Sequence, residues 1–291
     1  MTYLSGLTIY PIKGCRGIDL EVMALDERGP AFDRRFMIVS PSGQFLTQRE
    51  EPRLALIRPS ISSRSLGLET QGMPSLDISL DSSVPDLNTM DVNVWRFEGA
   101  ASLVSHEADE WLTEFLKRPS RLVRCSSSME REANPEWAKS PTPIAFSDGY
   151  PILLISEASL GWLNQTIRAE NPEVEAFGMA RFRPNLVVSD CEAFAEDDWA
   201  RVRIGDTEID LVKPCDRCAV TTVNQETAER GREPLATLSR VRRSQQGVLF
   251  GQNALASKGD SLSVGSKIEI LEAGRLANTA ADWRVEAKSR V

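Results

Sequence analysis

The stretch KPCDRCAVTTVN, from Lys213 to Asn224, decides how this sequence is interpreted. It places Cys215 and Cys218 three positions apart, with Lys213 before them and Arg217 between them. Such a pair is typical of half a zinc site, of a redox-active dithiol, or of a single thiolate kept for another ligand. The stretch alone leaves these three alternatives open, so the rest of the chain has to decide between them.

The sequence lacks the residues and the local structure that zinc binding and thioredoxin-like chemistry require. A structural zinc ion needs four ligands, whereas the chain has one histidine, His106, and its other cysteines are single. A thioredoxin-like pair opens a helix, whereas AVTTV after Cys218 has the composition of a strand. Two buried apolar thiols are the simplest alternative. The basic neighbours Lys213 and Arg217 argue against it, because they favour a thiolate, which soft metals prefer as a ligand.

The composition is that of a soluble globular protein, with 291 residues of which 41% are hydrophobic and 26% are charged. No stretch reaches the apolar length of a membrane-spanning helix. The N-terminus MTYLSGLTIYPIKG alternates like a strand and lacks the layout of a signal peptide. A net charge of -8 argues against nucleic-acid binding. We therefore expect a cytoplasmic protein whose partners include neither nucleic acid nor a membrane.

The cysteines and the basic residues are distributed unevenly. The five cysteines are odd in number and scattered, which is typical of a reducing compartment rather than of a disulfide framework. Local basic clusters on an acidic protein indicate a small anionic ligand, although solvated surface charge is the simpler alternative for any one pair. The clusters lie beside predicted turns and strand ends: Lys13 and Arg16; Arg34 and Arg35; Arg181 and Arg183; Lys213 and Arg217; Arg240, Arg242 and Arg243.

Short β-strands predominate in the pattern. Apolar and β-branched runs predict strands at residues 3–12, 18–25, 35–40 and 91–97, and PSGQ at 41–44 predicts a tight turn. Further strands are predicted at PILLIS, NLVVS, WARVRI, TEIDLV, AVTTV, VLFGQNAL and SKIEIL. This balance favours an α+β, predominantly β fold of barrels or sandwiches over a doubly wound sheet.

A few helices and one long loop complete the pattern. Apolar periodicity predicts helices at residues 105–117, after Ser156 as N-cap, and at about 234–244. Residues 126–149 are polar, contain three prolines and show little periodicity. A connection of that length often borders a functional site, which favours an enzyme mildly.

Four other stretches accompany the one around Cys215: YPIKGCRG at 10–17, FDRRF at 32–36, RFRPN at 181–185 and FGQN at 250–253. In this order, from about residue 8 to residue 271, they resemble the MOSC-domain proteins that have an N-terminal β-barrel domain. That group includes the mitochondrial amidoxime reducing component and its bacterial relatives. The resemblance implies an N-terminal β-barrel-like domain at 1–122, a MOSC β-barrel with peripheral helices at 123–272, and a tail at 273–291.

The resemblance also implies a molybdenum cofactor, in which a pterin dithiolene with a phosphate tail holds the metal. Cys215 matches the cysteine that ligates molybdenum in the family, and Cys218 would pack rather than ligate. In many members a serine stands where this chain has Gly14, whose backbone N–H would replace the lost hydroxyl contact. Lys13 and Arg35 match phosphate-binding residues, and the other matches to cofactor contacts are Ser156, Arg183 and Asn185.

The implied reaction is the reduction of small N-hydroxylated compounds, with Cys215 as the catalytic residue. Two single-electron transfers from a separate donor protein, ferredoxin-like or cytochrome-like with its reductase, would restore the metal. Asp148 and Asp216 are candidates for a proton donor by position, and a structural or solvated role is the alternative. A non-catalytic cofactor carrier or sulfur-handling protein is the alternative function. A plain protein-interaction module with an inert Cys215 is a second alternative.

Overall fold

Strands account for most of the regular structure, as the alternating apolar pattern predicts. The computed structural model describes residues 1–80, 88–126, 128–138 and 140–274. The strands of the first half are β1 (Tyr3–Ile9), β2 (Ile12–Lys13), β3 (Ile18–Leu20), β4 (Val22–Asp26), β5 (Gly29–Pro30), β6 (Phe36–Val39), β7 (Arg58–Ile61), β8 (Ser65–Glu69), β9 (Leu76–Ser79), β10 (Thr89–Val94), β11 (Phe97–Leu103) and β12 (Arg121–Arg124). Those of the second half are β13 (Ile152–Ser156), β14 (Leu186–Ser189), β15 (Trp199–Ile204), β16 (Thr207–Asp216), β17 (Arg243–Ser244), β18 (Gly247–Lys258), β19 (Ser261–Ser263) and β20 (Ile268–Ala273).

Three α-helices lie among the described residues: α1 (His106–Leu116), α2 (Glu157–Glu170) and α3 (Leu235–Val241). All three were predicted, and the predicted N-cap Ser156 accepts a hydrogen bond from the Ser159 N–H at 3.0 Å. No described helix is long and apolar enough to cross a membrane.

The largest sheet has the strand order β20-β15-β16-β18-β13-β14-β1-β3, with β17 paired to β18. The predominantly β fold is therefore confirmed, but this hydrogen-bonded order ends at β20 and β3 among the described residues, so the sheet does not close into a barrel. Because β1 and β3 pair within a sheet whose other strands follow residue 151, the predicted division at residue 122 does not separate two independent sheets. The domain boundaries stay a prediction, and residues 275–291 of the predicted tail lie outside the described part of the chain.

A second sheet has the order β10-β11-β12-β6-β2. Helix α1 packs against its strand β12. Apolar side chains of this sheet, of α1 and of the β7-β8-β9 sheet form the core of the first half, including the buried Trp111, Leu112 and Phe115 of α1. The sequence predicted that these helix residues share one face, and burial of that face stabilises the helix. Strand β2 ends at Lys13, so this sheet carries Lys13 towards the second half of the chain.

Two short segments differ from their predicted structure. AVTTV was predicted as a strand, but Ala219–Thr222 forms a 3-10 helix. The Thr221 and Thr222 hydroxyls donate to the carbonyls of Cys218 and Ala219 at 3.0 and 2.8 Å, and such local side-chain bonds compete with strand pairing. The predicted strand at 91–97 ends at Val94, because Trp95 has a left-handed backbone with φ 58° that turns the chain into β11.

Candidate functional site

One cavity lies between the two halves of the chain. The first half contributes the end of β2, the segment before β6, residues 45–49 and Trp95, whereas the second half contributes residues 147–150, 182–185 and 215–221. The predicted loop at 126–149 therefore ends in the cavity wall. Of the predicted site residues, the cavity brings together Lys13, Gly14, Arg183, Asn185 and Cys215.

Cys215 lies near the end of β16, where the pairing with β18 shifts register between Leu211 and Lys213 and again between Pro214 and Asp216. Bulges of this kind redirect side chains next to binding sites. The thiol is partly buried, and Arg217 Nη1 lies 3.0 Å from its Sγ. Arg217 Nη2 donates to the carbonyl of Phe182 at 2.6 Å, so the guanidinium is held against the sulfur. This arrangement places a cationic hydrogen-bond donor directly at the sulfur.

The second cysteine of the pair differs from its predicted role. Cys218 is an exposed free thiol at the start of the 3-10 helix and borders the cavity, so the prediction that it packs is wrong, whereas the prediction that it does not ligate the metal stays a prediction. Lys213 was expected to lie beside the thiol. Its Nζ instead lies over the Trp137 ring, 5.7 Å from the centroid. Among the residues described, no group of three or more His, Cys, Asp or Glu side chains could hold a metal ion.

Two arginines enclose the ring of Tyr10 beside the cavity. The guanidinium carbons of Arg34 and Arg183 lie 4.3 and 4.2 Å from the ring centroid, which is cation–π geometry. Burial lowers the pKa of Arg183 to about 10 and raises that of Tyr10 to about 12, although the two arginines oppose the rise at Tyr10. The two guanidinium groups make this part of the wall cationic, and a cationic wall attracts anions.

Asn185 lines the cavity, but its amide is already used within the protein. Its Nδ2 donates to Thr8 O at 3.0 Å and to Asp33 Oδ1 at 3.1 Å. Its Oδ1 accepts from Leu153 N at 3.2 Å and from Arg34 Nη1 at 3.0 Å. Asn185 therefore acts on the site by holding Arg34 in place.

Lys13 is buried at the end of β2 and is held by the end of the long loop. Its Nζ donates to Phe146 O at 2.8 Å and to the carboxylate of Asp148. Burial lowers the pKa of Lys13, and the charge of Asp148 opposes that shift. Arg131 fixes the loop itself, because its guanidinium donates to the carbonyls of Ala145, Ser147 and Asp148.

The two candidate proton donors are both carboxylates with structural partners. Desolvation at the cavity wall raises the pKa of Asp148, but the Lys13 charge and hydrogen bonds from Lys13 and Trp95 outweigh this and hold the pKa of this exposed carboxyl well below the usual range. Asp148 is therefore ionised at neutral pH. Asp216 accepts a hydrogen bond from Val248 N at 2.8 Å, which fixes the turn beside Cys215. Both side chains border the cavity, and these contacts agree with the structural alternative rather than with proton donation.

Two predicted site residues are absent from the described cavity wall. Arg35 pairs with Asp26 of β4 at 2.7 Å, whereas its neighbour Arg34 borders the cavity. The left-handed backbone of Arg34, with φ 47°, lies just before β6, and of the two arginines only Arg34 lines the cavity. Ser156 is fully buried, and its hydroxyl caps α2 and contacts Ser159 Oγ at 2.7 Å.

Gly14 has a left-handed backbone with φ 85°, and its carbonyl accepts from Gln48 Nε2 at 2.6 Å. A side chain at such a position is strained, and a Cβ would meet Leu54 Cδ1 at 3.2 Å. The local backbone therefore explains why this chain has glycine rather than serine here.

Sequence reasoning missed several residues of the wall. Arg34 stood in the quoted FDRRF stretch, but the resemblance matched its neighbour Arg35 to the phosphate. Trp95 stood in a predicted strand, and Arg49, Phe45 and Tyr150 carried no signal. Long-range packing of separate turns brings these four together, which local patterns do not report.

The geometry defines a protein of β-rich halves that meet at a cationic cavity containing one partly buried thiol. Residues 1–119 match the family described as the MOSC N-terminal beta barrel domain, and residues 141–269 match the MOSC domain. The chain therefore belongs to the MOSC-domain proteins with an N-terminal MOSC domain.

Three relatives show how far the similarity extends. The chain is 35% identical to the mitochondrial amidoxime-reducing component 1 of Xenopus laevis, over 86% of this chain and 76% of that protein. It is 33% identical to the component of the same name from Homo sapiens, over 91% of this chain and 82% of that protein. It is also 33% identical to the molybdenum cofactor sulfurase of Danio rerio over 91% of this chain, but it spans 34% of that protein's length.

Proposed function

We propose that this chain binds the molybdenum cofactor in the cavity, with Cys215 as the protein ligand to molybdenum, and reduces N-hydroxylated compounds. The proposal rests on one observation: the thiol of Cys215 shares a single cavity with the cationic side chains of Lys13, Arg34 and Arg183. Amidoxime-reducing components and molybdenum cofactor sulfurases among the relatives support the same cofactor.

The residues present fit such a group. A thiolate is a soft donor of the kind that molybdenum takes from a dithiolene, and Arg217 lies at hydrogen-bonding distance from it. Arg217 Nε is buried and has no hydrogen-bond partner in the part of the chain that the structure describes, so this guanidinium retains an unused donor in the wall. The cations of Arg34 and Arg183 match the charge of a phosphate tail.

Each residue then has a definite task. Cys215 holds the metal, Arg217 orients and stabilises its thiolate, and Arg34 and Arg183 bind the anionic tail. Asn185 and Asp33 position Arg34, whose Nη1 lies 2.5 Å from Asp33 Oδ2 and 3.0 Å from Asn185 Oδ1. Asp148 and Arg131 fix Lys13 and the loop that closes one side.

When bound, the cofactor supplies the two-electron reduction of the N–O bond. The reaction balances as an N-hydroxy compound plus two electrons and two protons, giving the N–H compound and water. The electrons come from a separate donor protein, ferredoxin-like or cytochrome-like. Both protons come from solvent, because Asp148 and Asp216 are already engaged in hydrogen bonds within the protein, with Lys13 and with Val248 N.

The experiment compares Cys215→Ala with Cys218→Ala as a matched control. Each protein is purified with its cofactor, and molybdenum per chain and reduction of benzamidoxime by reduced methyl viologen are measured. We expect molybdenum and activity to be lost in Cys215→Ala and kept in Cys218→Ala. Molybdenum in the wild type without turnover of any N-hydroxylated compound would instead support the carrier alternative. Equal retention of molybdenum in both variants would exclude Cys215 as the ligand.

A further inference from the structure

Trp95 is an exposed aromatic residue in the wall of the cavity. It is 48% exposed, although it lies in the turn between β10 and β11 where the chain could have placed a polar residue. Its backbone is left-handed, with φ 58°. For a residue that is neither glycine nor asparagine this conformation costs on the order of 1 kcal/mol. The turn therefore places a bulky ring at the opening of the site, although tryptophan disfavours this backbone conformation.

Three contacts fix the direction of the indole. Its Nε1 donates to Asp148 Oδ1 at 3.0 Å, so the ring is tied to the loop that closes the cavity. The guanidinium of Arg49 lies 4.6 Å from the ring centroid and covers one face. The ring of Phe45 meets the indole edge-on, with centroids 5.0 Å apart and planes at 67°. A ring held on three sides is preorganised. The protein therefore loses little side-chain freedom when a ligand contacts this ring.

The exposed part of this ring suits a flat, conjugated group. Aromatic rings bind other π-systems by offset stacking, which contributes beyond the area that is buried. The residues that would hold the cofactor are buried or partly buried, whereas Trp95 is open to solvent. A group that stacks here can therefore exchange with bulk solvent, as a substrate must and a tightly held cofactor does not.

We propose that Trp95, oriented by Asp148, Arg49 and Phe45, is a stacking platform that selects N-hydroxylated substrates whose N–O group is conjugated to a planar ring. This inference rests on the proposed function and specifies the substrate class of the same site. Small aliphatic N-hydroxylated compounds enter the cavity without using the platform.

The test compares the molybdenum-loaded wild type with Trp95→Ala and Trp95→Phe, using benzamidoxime as the planar substrate and acetamidoxime as the aliphatic one. We expect Trp95→Ala to raise the KM for benzamidoxime roughly tenfold, since one stacked aromatic pair is lost. The KM for acetamidoxime is expected to rise much less, because this substrate does not use the platform, so the ratio of the two KM values reports the stacking. The molybdenum content is expected to be retained. Trp95→Phe keeps a ring and is expected to restore most of the affinity.

Trp162 provides a matched control, because it is 37% exposed and lies on α2, away from the cavity wall. Trp162→Ala is expected to change neither KM. An equal rise of KM for both substrates in Trp95→Ala, or a loss of molybdenum from that variant, would overturn the proposal. In the second case the ring supports the cofactor and not the substrate.

Calorimetry separates this proposal from the proposed function. Benzamidoxime is titrated into molybdenum-loaded wild type and into Trp95→Ala, without any electron donor. If the protein reduces neither substrate but binds benzamidoxime in a Trp95-dependent way, the reductase function fails and the platform stands. If the wild type does not bind benzamidoxime more tightly than Trp95→Ala does, the platform fails whatever the activity is.

Discussion

Arg217 Nη1 lies 3.0 Å from Cys215 Sγ, and the same guanidinium is anchored by the carbonyl of Phe182. One residue, Asp216, separates them in the sequence. Both side chains line the same cavity at the end of β16. A cationic donor at a thiolate disperses its charge and controls how strongly the sulfur donates to a metal. If Cys215 ligates molybdenum as proposed, the role of this arginine is electronic as well as structural.

Removing that donor is expected to lower the reduction potential of the bound molybdenum. A positive donor stabilises the reduced, more negative centre more than the oxidised one, so Arg217→Gln loses this preference. If the donor stabilises the reduced centre by roughly 1 kcal/mol more than the oxidised one, its loss lowers the one-electron reduction potential by about 40 mV. The measurement is a redox titration followed by the molybdenum EPR signal. Arg217→Lys keeps the charge and should shift the potential less, whereas equal shifts in the two variants would mean that charge is unimportant.

Gly247 is expected to control the position of Asp216, the residue next to Cys215. A Cβ at Gly247 would lie 2.0 Å from Asp216 Oδ1, and the glycine φ is 117°. Gly247→Ala should therefore displace Asp216, destabilise the fold by about 2 kcal/mol or more and reduce the molybdenum content. Chemical denaturation and elemental analysis measure both effects.

Gly265 is the matched control for that variant. It also has a left-handed backbone, with φ 83°, but among the described residues other than its chain neighbours no heavy atom lies within 4 Å of the position that a Cβ would take. Gly265→Ala should cost only the backbone strain, about 1 kcal/mol, and leave the molybdenum content unchanged. If both variants lose the same stability and neither loses molybdenum, the Gly247–Asp216 contact does not position the site.

The predictable part of this protein consists of its periodic elements and its motif cysteine. The helix at residues 105–117 was predicted within a residue at each end, because Ser105 caps it and its apolar face recurs with helical spacing. Cys215, Lys13 and Arg183 come from distant stretches that the resemblance matched to cofactor contacts, and all three line the cavity, whereas Arg35, matched in the same way, does not. Periodicity and ordered motifs carry that information, because both depend on local sequence.

The rest depends on directions that local sequence does not encode. Whether Arg34 or Arg35 faces the cavity is decided by the left-handed backbone of Arg34, with φ 47°, just before β6. The strand predicted after Cys218 is a 3-10 helix because threonine hydroxyls bond to local carbonyls. Trp95 joins the site because its turn meets Asp148, 53 positions further along the chain. In each case a tertiary contact or a single dihedral angle overrides composition.

Tyr10 is expected to make the fold sensitive to alkali. Burial raises its pKa to about 12, against an ordinary value of 10.0 in the unfolded chain. The stability that follows from this difference is fully present below pH 10 and is lost as the pH rises towards 12, since the unfolded state ionises first. Tyr10→Phe removes the hydrogen bond to Pro184 O, which is 3.1 Å long, and should cost about 1 kcal/mol at neutral pH.

The measurement is the free energy of unfolding of wild type and Tyr10→Phe in denaturant between pH 7 and pH 11. The gap between the two proteins should narrow above pH 10, because only the wild type gains unfolded-state ionisation at this residue. A gap that stays constant over the whole range would show that Tyr10 ionises as easily in the folded protein as in the unfolded chain.

Arg34 and Arg35 offer a direct comparison of neighbouring residues with the same charge. Arg34 donates to Asp33, Asn185 and the Arg183 carbonyl and borders the cavity, whereas Arg35 pairs with Asp26. Arg34→Lys keeps a charge beside the buried Asp33 but loses the planar fork that matches phosphate. We expect its retention of the molybdenum cofactor to weaken roughly tenfold, the effect of losing one charge-assisted hydrogen bond. Cofactor retention is measured as molybdenum per chain after dialysis.

Arg35→Lys is the control, because a lysine can still pair with Asp26 and no cofactor contact is removed. It should retain molybdenum as the wild type does. Thermal unfolding of the two variants without cofactor separates retention from folding, since a general loss of stability in Arg34→Lys would appear there as well. Weak retention in Arg35→Lys together with normal retention in Arg34→Lys would reverse the assignment, and Arg35 would then have to turn towards the cavity when the anion binds.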